Sequence, residues 1–224
     1  MREFTGNSGM SFLNQLKSQA QSVQAQQVVE AHGRSARIEA VERVTQRAWR
    51  YLDELAAQLR ILQPDGPRLS ADGKTPWPAM KASDFRTDAR KKMLDGKEVF
   101  DYAIMGWTLS PKMGVVVQGS VSAVLMAEVQ AIEARLASGQ VQFEKVEKRV
   151  PPRNALELVR FTYATQARGT VHLKPDHEQG QVLVRLSCVT GLESRTQTWH
   201  ALDFDEAQLD ELAKLIVGQE SRFF

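Results

Sequence analysis

The stretch "FTYATQARGTVHLKPDHEQGQVLVRLSCVTGLESRTQTWH", residues 161–200, decides the fold. In it, runs of β-branched and aromatic residues alternate with the short polar segments "ARG", "PDHEQG" and "TGLES". Such runs read as strands, and consecutive strands joined by short turns must be antiparallel. The spacing predicts strands near 156–166, 170–174, 181–189 and 195–202, with a further one near 141–149.

Turn geometry carries this reading to the level of faces. Pairing Gln166 with Thr170 across "ARG" puts Phe161, Tyr163, Thr165, Val171 and Leu173 on one side of the sheet. Pairing Lys174 with Gln181 across "PDHEQG" adds Val182, Val184 and Leu186 to that side. Both follow from the two-residue period of a strand. The opposite face then carries Thr162, Gln166, Thr170, His172, Lys174 and Arg185, and pairing Val189 with Arg195 adds Trp199. Arg185, Trp199, His172 and Lys174 are therefore the candidate ligand-binding set. A tryptophan beside an arginine on a polar face suits stacking of a base or another planar ligand. It equally suits a cation–π pair beneath a neighbouring element.

Outward from this sheet the periodicity changes. Downstream, "DFDEAQLDELAKLIVG" has Asp203 and Glu206 at capping-box spacing, Leu209, Leu212 and Ile216 on one face, and Gly218 as a stop, predicting a helix over 204–217. Upstream, "EVFDYAIMGWTLS" and "GVVVQGSVSAVL" read as strands, and "MAEVQAIEARLASG" reads as a helix with Val129, Ile132 and Leu136 aligned. Residues 63–83 hold four prolines and two glycines, too many breakers for a helix or central strand, and form a Pro/Gly-rich linker in which Trp77 can pin the chain to the body.

Ahead of the linker, Ile38, Val41, Thr45, Ala48, Leu52, Leu55, Leu59 and Leu62 keep 3-4 spacing for more than three heptads. That is the mark of a helix packed along its length on another helix. Leu13, Leu16, Ala20 and Val23 begin a thinner stripe among six glutamines between residues 15 and 27, with too few basic residues for a membrane-surface helix. His32-Gly33 and Ser35 predict a break between the two helices. Leu13, Leu16, Val23, Ile38, Val41, Leu52, Leu55 and Leu59 are the expected arm interface.

The expected fold class is α+β: an N-terminal helical hairpin or coiled-coil-like arm, then a mostly antiparallel sheet with helices packed on one face. The expected segments are 1–10, a disordered or expression-derived N-terminus; 11–62, the arm; 63–83, the linker; and 84–224, the body.

Bulk composition narrows the function. The 224 residues are 42% hydrophobic, enough for a real core, and the net charge of +2 supplies no global field for nucleic acid or anionic membrane. The single cysteine, Cys188, rules out an internal disulfide and fits a reducing cytoplasm. The longest apolar stretch, Met113 to Ala127, is interrupted by polar residues and too short to span a bilayer. No signal-peptide pattern opens the chain.

Common phosphate-loop, metalloprotease and hydrolase motifs are absent. His172, Asp176 and His177 lie close in sequence and, with His200 across the sheet, have the ligand types of a zinc or iron site, although a solvated turn is the plainer reading. No metal or cofactor is assigned. Cys188 alternates with Val184 and Leu186, which makes it a buried thiol rather than a nucleophile served by His200 and Asp176. Arg43, Arg47 and Arg50, and "RKK" at 90–92, are basic, but acidic residues are interspersed along the helix that carries the first three.

The expected function is that of a non-catalytic cytoplasmic interaction or ligand-binding protein whose arm mediates self-association or docking to a protein partner. A nucleic-acid or nucleotide module on the polar sheet face is the second expectation, and a small-molecule or metal site near His172 and His177 is the third.

Overall fold

The computed structural model describes residues 12–151 and 155–224; the expectation for residues 1–10 lies outside them. In chain order the elements are α1 (Phe12–Leu62), β1 (Met80–Leu94), β2 (Lys97–Pro111), β3 (Gln118–Ala123), α2 (Met126–Ser138), β4 (Phe143–Val150), β5 (Ala155–Ala164), β6 (Ala167–Asp176), β7 (Gln181–Ser187), β8 (Ser194–His200) and α3 (Glu206–Ile216). The fold is α+β. Five strands form one antiparallel sheet in the order β1-β2-β6-β7-β8, and three form a second in the order β3-β5-β4.

The first departure from expectation is α1. It is one helix of 51 residues, not a hairpin. Gly33 adopts no positive φ and continues the helix. A helical glycine costs about 1 kcal/mol relative to alanine. Contacts just beyond it anchor the helix to the body: Arg34 pairs with Asp95 at 3.1 Å, and the Arg37 Nε donates to the Glu178 carbonyl at 3.0 Å. Ser35 is not an N-cap; its hydroxyl is 3.5 Å from Glu39 one turn on. The helix stops at Gln63, whose φ of 45° turns the chain ahead of Pro64.

From Ile38 onward α1 lies across β1, β2, β6 and β7. The predicted stripe is what it buries: Val41, Thr45, Ala48 and Leu52 are fully enclosed, joined by Ile38 and Leu59, with Leu55 half-buried and Leu62 exposed. The heptad therefore matches the helix to its own sheet, not to a second helix. Val41, Ala48, Leu52 and Leu59 form one core with Phe85, Met105, Trp107, Val171, Leu173, Val182 and Val184. Leu209, Leu212 and Ile216 of α3 close the same core. Asp205, not Asp203, is the N-cap of α3 and accepts from the Gln208 amide at 3.2 Å.

Residues 63–83 are not a free linker. Leu69, Ala71 and Trp77 are buried, Trp77 stacks on Tyr163 at 5.3 Å, and β1 already begins at Met80. The chain then turns at Asp95-Gly96, both with positive φ, as a tight hairpin requires.

All three turns read from sequence differ. "ARG" is no turn. The chain leaves β5 at Thr165, whose hydroxyl donates to the Val117 carbonyl at 2.9 Å, and crosses from the small sheet to the large one. Ala167, Arg168 and Gly169 then pair with Leu109, Thr108 and Trp107 of β2. Gly169 is there because the Trp107 indole fills the space its Cβ would need.

At "TGLES" the register differs by three residues. Arg195 pairs with Leu186, not Val189, because Cys188 takes a left-handed φ of 53° and its amide binds the Glu193 carbonyl at 2.9 Å. A slip by an odd number of residues turns every side chain to the other face. At "PDHEQG" the observed pair is Asp176 with Gln181, two residues from the expected one, so the predicted faces survive.

Candidate functional site

The register of β6 and β7 places His172 directly opposite Arg185, with Lys174 two residues along on the same face. This face points away from α1. Ile104 of β2 lies beside His172, and the Tyr102 ring sits 5.6 Å from the imidazole at a tilt of 41°. The Tyr102 hydroxyl donates to Asp88 of β1 at 3.3 Å. Three of the four residues expected to bind a ligand thus share one face.

Trp199 does not join them. Opposite Val182 on the inner side, it packs 6.2 Å from Phe204 and 5.7 Å from Phe223, so the tail "SRFF" docks through Phe223 while Phe224 stays half exposed under Arg195. The polar face keeps its cations and loses the tryptophan as a stacking platform.

Around it the basic segments divide. Lys91, Lys92 and Arg90 are matched by Glu98 and Asp101 across the β1-β2 hairpin, and Arg47 binds the Phe204 carbonyl at 2.8 Å. In contrast the side chains of Arg86, Arg168, Lys174 and Arg185 form no hydrogen bond or ion pair with any described residue. Arg86 pairs with Gly106 on β2, and Arg168 pairs with Thr108 on the same strand. Between them lies a cleft of about 450 Å³ whose lining includes Asp84, Asp88, Thr170 and Gln140. Arg86 and Arg168 escape a reading from sequence because β1 has no clean alternation and "ARG" resembles a turn.

The histidines do not gather. His172 faces outward, whereas His177 in the β6-β7 turn is buried against α1, its Nε2 3.5 Å from Glu42. Asp176 spends its carboxylate on the Glu178 and Gln179 amides. Among the described residues no group of three potential ligands could hold a metal. Cys188 follows one end of β7, and Asp176 and His200 flank the other end through Gln181. That separation, roughly 23 Å along the strand, precludes a catalytic triad. Burial pushes the Cys188 thiol up to about 12.

His177 makes acid a probe of the α1 packing. Burial holds its pKa below the ordinary 6.5, with Lys92 acting the same way against the opposing pull of Glu42 and Asp176. The unfolded chain gains a proton as pH falls through about 6.5 and the folded chain does not, so stability is complete above that pH and is lost below it. His172, lowered by burial and then by Arg185 and Lys174, adds to the loss. Urea unfolding midpoints should fall between pH 7 and pH 5, and His177→Gln should flatten that slope. An unchanged slope in the variant would remove His177 as its source.

The expected arm interface divides near Gly33. Leu16 and Val23 are exposed at 45% and 51%, as is every described side chain between 16 and 27, while the side chain of Leu13 lies outside those described. Ile38, Val41, Leu52 and Leu59 are in the core. No described helix is long and apolar enough to cross a membrane. Comparison with protein-family models, curated proteins and solved structures finds no match for the chain.

Proposed function

We propose that this is a non-catalytic cytoplasmic interaction protein that associates with a second copy of itself through the exposed first part of α1. The supporting observation is that α1 runs on as a helix to Phe12 while nothing in the body covers Leu16 or Val23. At 1.5 Å per residue, residues 12–33 extend about 33 Å beyond the packed part. In proteins most helical stability comes from packing an amphipathic face, which this part of α1 lacks within its own chain.

Sequence favours an antiparallel partner. An antiparallel pair centred between Val23 and Gln24 sets Leu16 against Ala31, Ala20 against Gln27, and Lys17 against Glu30. Glutamines along the seam supply side-chain hydrogen bonds. Light scattering on the full chain should give twice the monomer mass, and a chain beginning at Arg34 should be a folded monomer. Lys17→Glu should weaken the dimer, and adding Glu30→Lys should restore it. A full chain that is monomeric at every accessible concentration would overturn the reading.

A further inference from the structure

We infer that the cleft between Arg86 and Arg168 on the outer face of the large sheet binds a phosphorylated sugar, free or as part of a nucleotide. This site is independent of the helical arm and stands or falls separately.

The cleft exists because Gly106 has no side chain. On a β2 residue flanked by β1 and β6, a long side chain would stand between the two arginines; here the floor is backbone, with Thr170 beyond it. Arg86 and Arg168 sit two strands apart and offset by two residues, which puts their Cα atoms roughly 12 Å from each other, within mutual reach of two extended guanidinium side chains over a shared ligand. A guanidinium offers a planar fork of donors that matches phosphate oxygens. Two of them without partners, converging over one concavity of about 450 Å³, define an oxyanion site of small-molecule size.

The carboxylates set the rest of the ligand. A bare polyanion would meet Asp84 and Asp88 on the β1 wall of the same cleft. A ligand carrying hydroxyl donors next to its phosphate satisfies both signs: phosphate between the arginines, vicinal hydroxyls on the aspartates. Asp84 is held toward the cleft by a β1 bulge, with a positive φ of 54° that an aspartate adopts more readily than most residues. A base attached to the sugar would continue along the strands to Ile104 and the Tyr102–His172 pair, where it meets two rings and the Arg185 cation.

The test is an amide and arginine Nε–H NMR titration of the full chain with ribose 5-phosphate, AMP and inorganic phosphate in separate arms. The expected result is saturable shifts at Gly106, Gly169 and the Nε–H groups of Arg86 and Arg168 with both sugar phosphates, and binding of inorganic phosphate at least tenfold weaker. AMP binding more tightly than ribose 5-phosphate would assign the ligand to nucleotides; equal binding would assign it to free sugar phosphates. Arg86→Gln and Arg168→Gln should each weaken binding about tenfold without moving the unfolding midpoint, because neither side chain has a partner to lose. The inference is overturned by absence of saturable shifts in the sugar-phosphate arms, by binding that survives the double substitution, or by inorganic phosphate binding as well as ribose 5-phosphate.

Discussion

Leu52→Asp should unfold the protein or bring it close to unfolding. Leu52 has no exposed surface and lies midway along the part of α1 that covers the large sheet. A carboxylate there has no cation in reach within the apolar core and must either stay charged at a large desolvation cost or take up a proton and still displace a well-packed side chain. Losses above about 4 kcal/mol are typical of an unpaired charge in a core, a large share of the stability of an ordinary domain. The same substitution at Leu16 on the same helix should change the unfolding free energy of the single chain by less than about 0.5 kcal/mol, because nothing in its own body covers Leu16, and its effect should fall on dimerisation instead. Urea titrations of both variants separate a helix that belongs to the core from one merely attached to it. Equal midpoints for the two would contradict the division of α1 near Gly33.

Gly169→Val should cost about 3 kcal/mol by overpacking, for a different reason. Gly169 is the cross-strand partner of Trp107, and the indole occupies the place of its missing side chain while stacking on Phe85 at 5.6 Å. A branched side chain at 169 must push the tryptophan off its rotamer or part β2 from β6 in the middle of the sheet. Combining Gly169→Val with Trp107→Leu, which vacates the space, should recover part of the loss. A double variant no better than the sum of the two singles would show that the ring is not the obstacle.

The helices and the strand faces were largely legible because both rest on periodicity. Leu209, Leu212 and Ile216, and equally Val171, Leu173, Val182 and Val184, were assigned to the apolar side and are buried there. What periodicity does not carry is partner choice. The stripe from Ile38 to Leu59 has the same spacing whether a helix or a sheet receives it, so the hairpin could not be told from a helix on a sheet. Gly169 looked like a turn residue because glycine serves both turns and close approaches, and only the position of Trp107 decides between them. β1 was partly absorbed into the linker because its bulge at Asp84 breaks the alternation between Ala82 and Phe85.

For the candidate site the limit was loop geometry. His172, Lys174 and Arg185 were placed together by the β6-β7 turn, where an error of two residues preserves the face. Trp199 follows the next turn, where the left-handed Cys188 moves the register by three residues, an odd number, and carries the indole inside.

The position of β6 also sets an order of events during synthesis. The large sheet is continuous only when β6, made after β1 to β5, inserts between β2 and β7. Until then the β1-β2 hairpin, though able to close locally, has an open edge, and the apolar stripe of α1, made before the sheet it covers, has only a fraction of its final surface to cover. Contacts between elements separated by more than a hundred residues are slow to form. The nascent chain therefore passes through a long interval in which a greasy helix and an unpaired strand edge are both on display, and aggregation competes with folding throughout it.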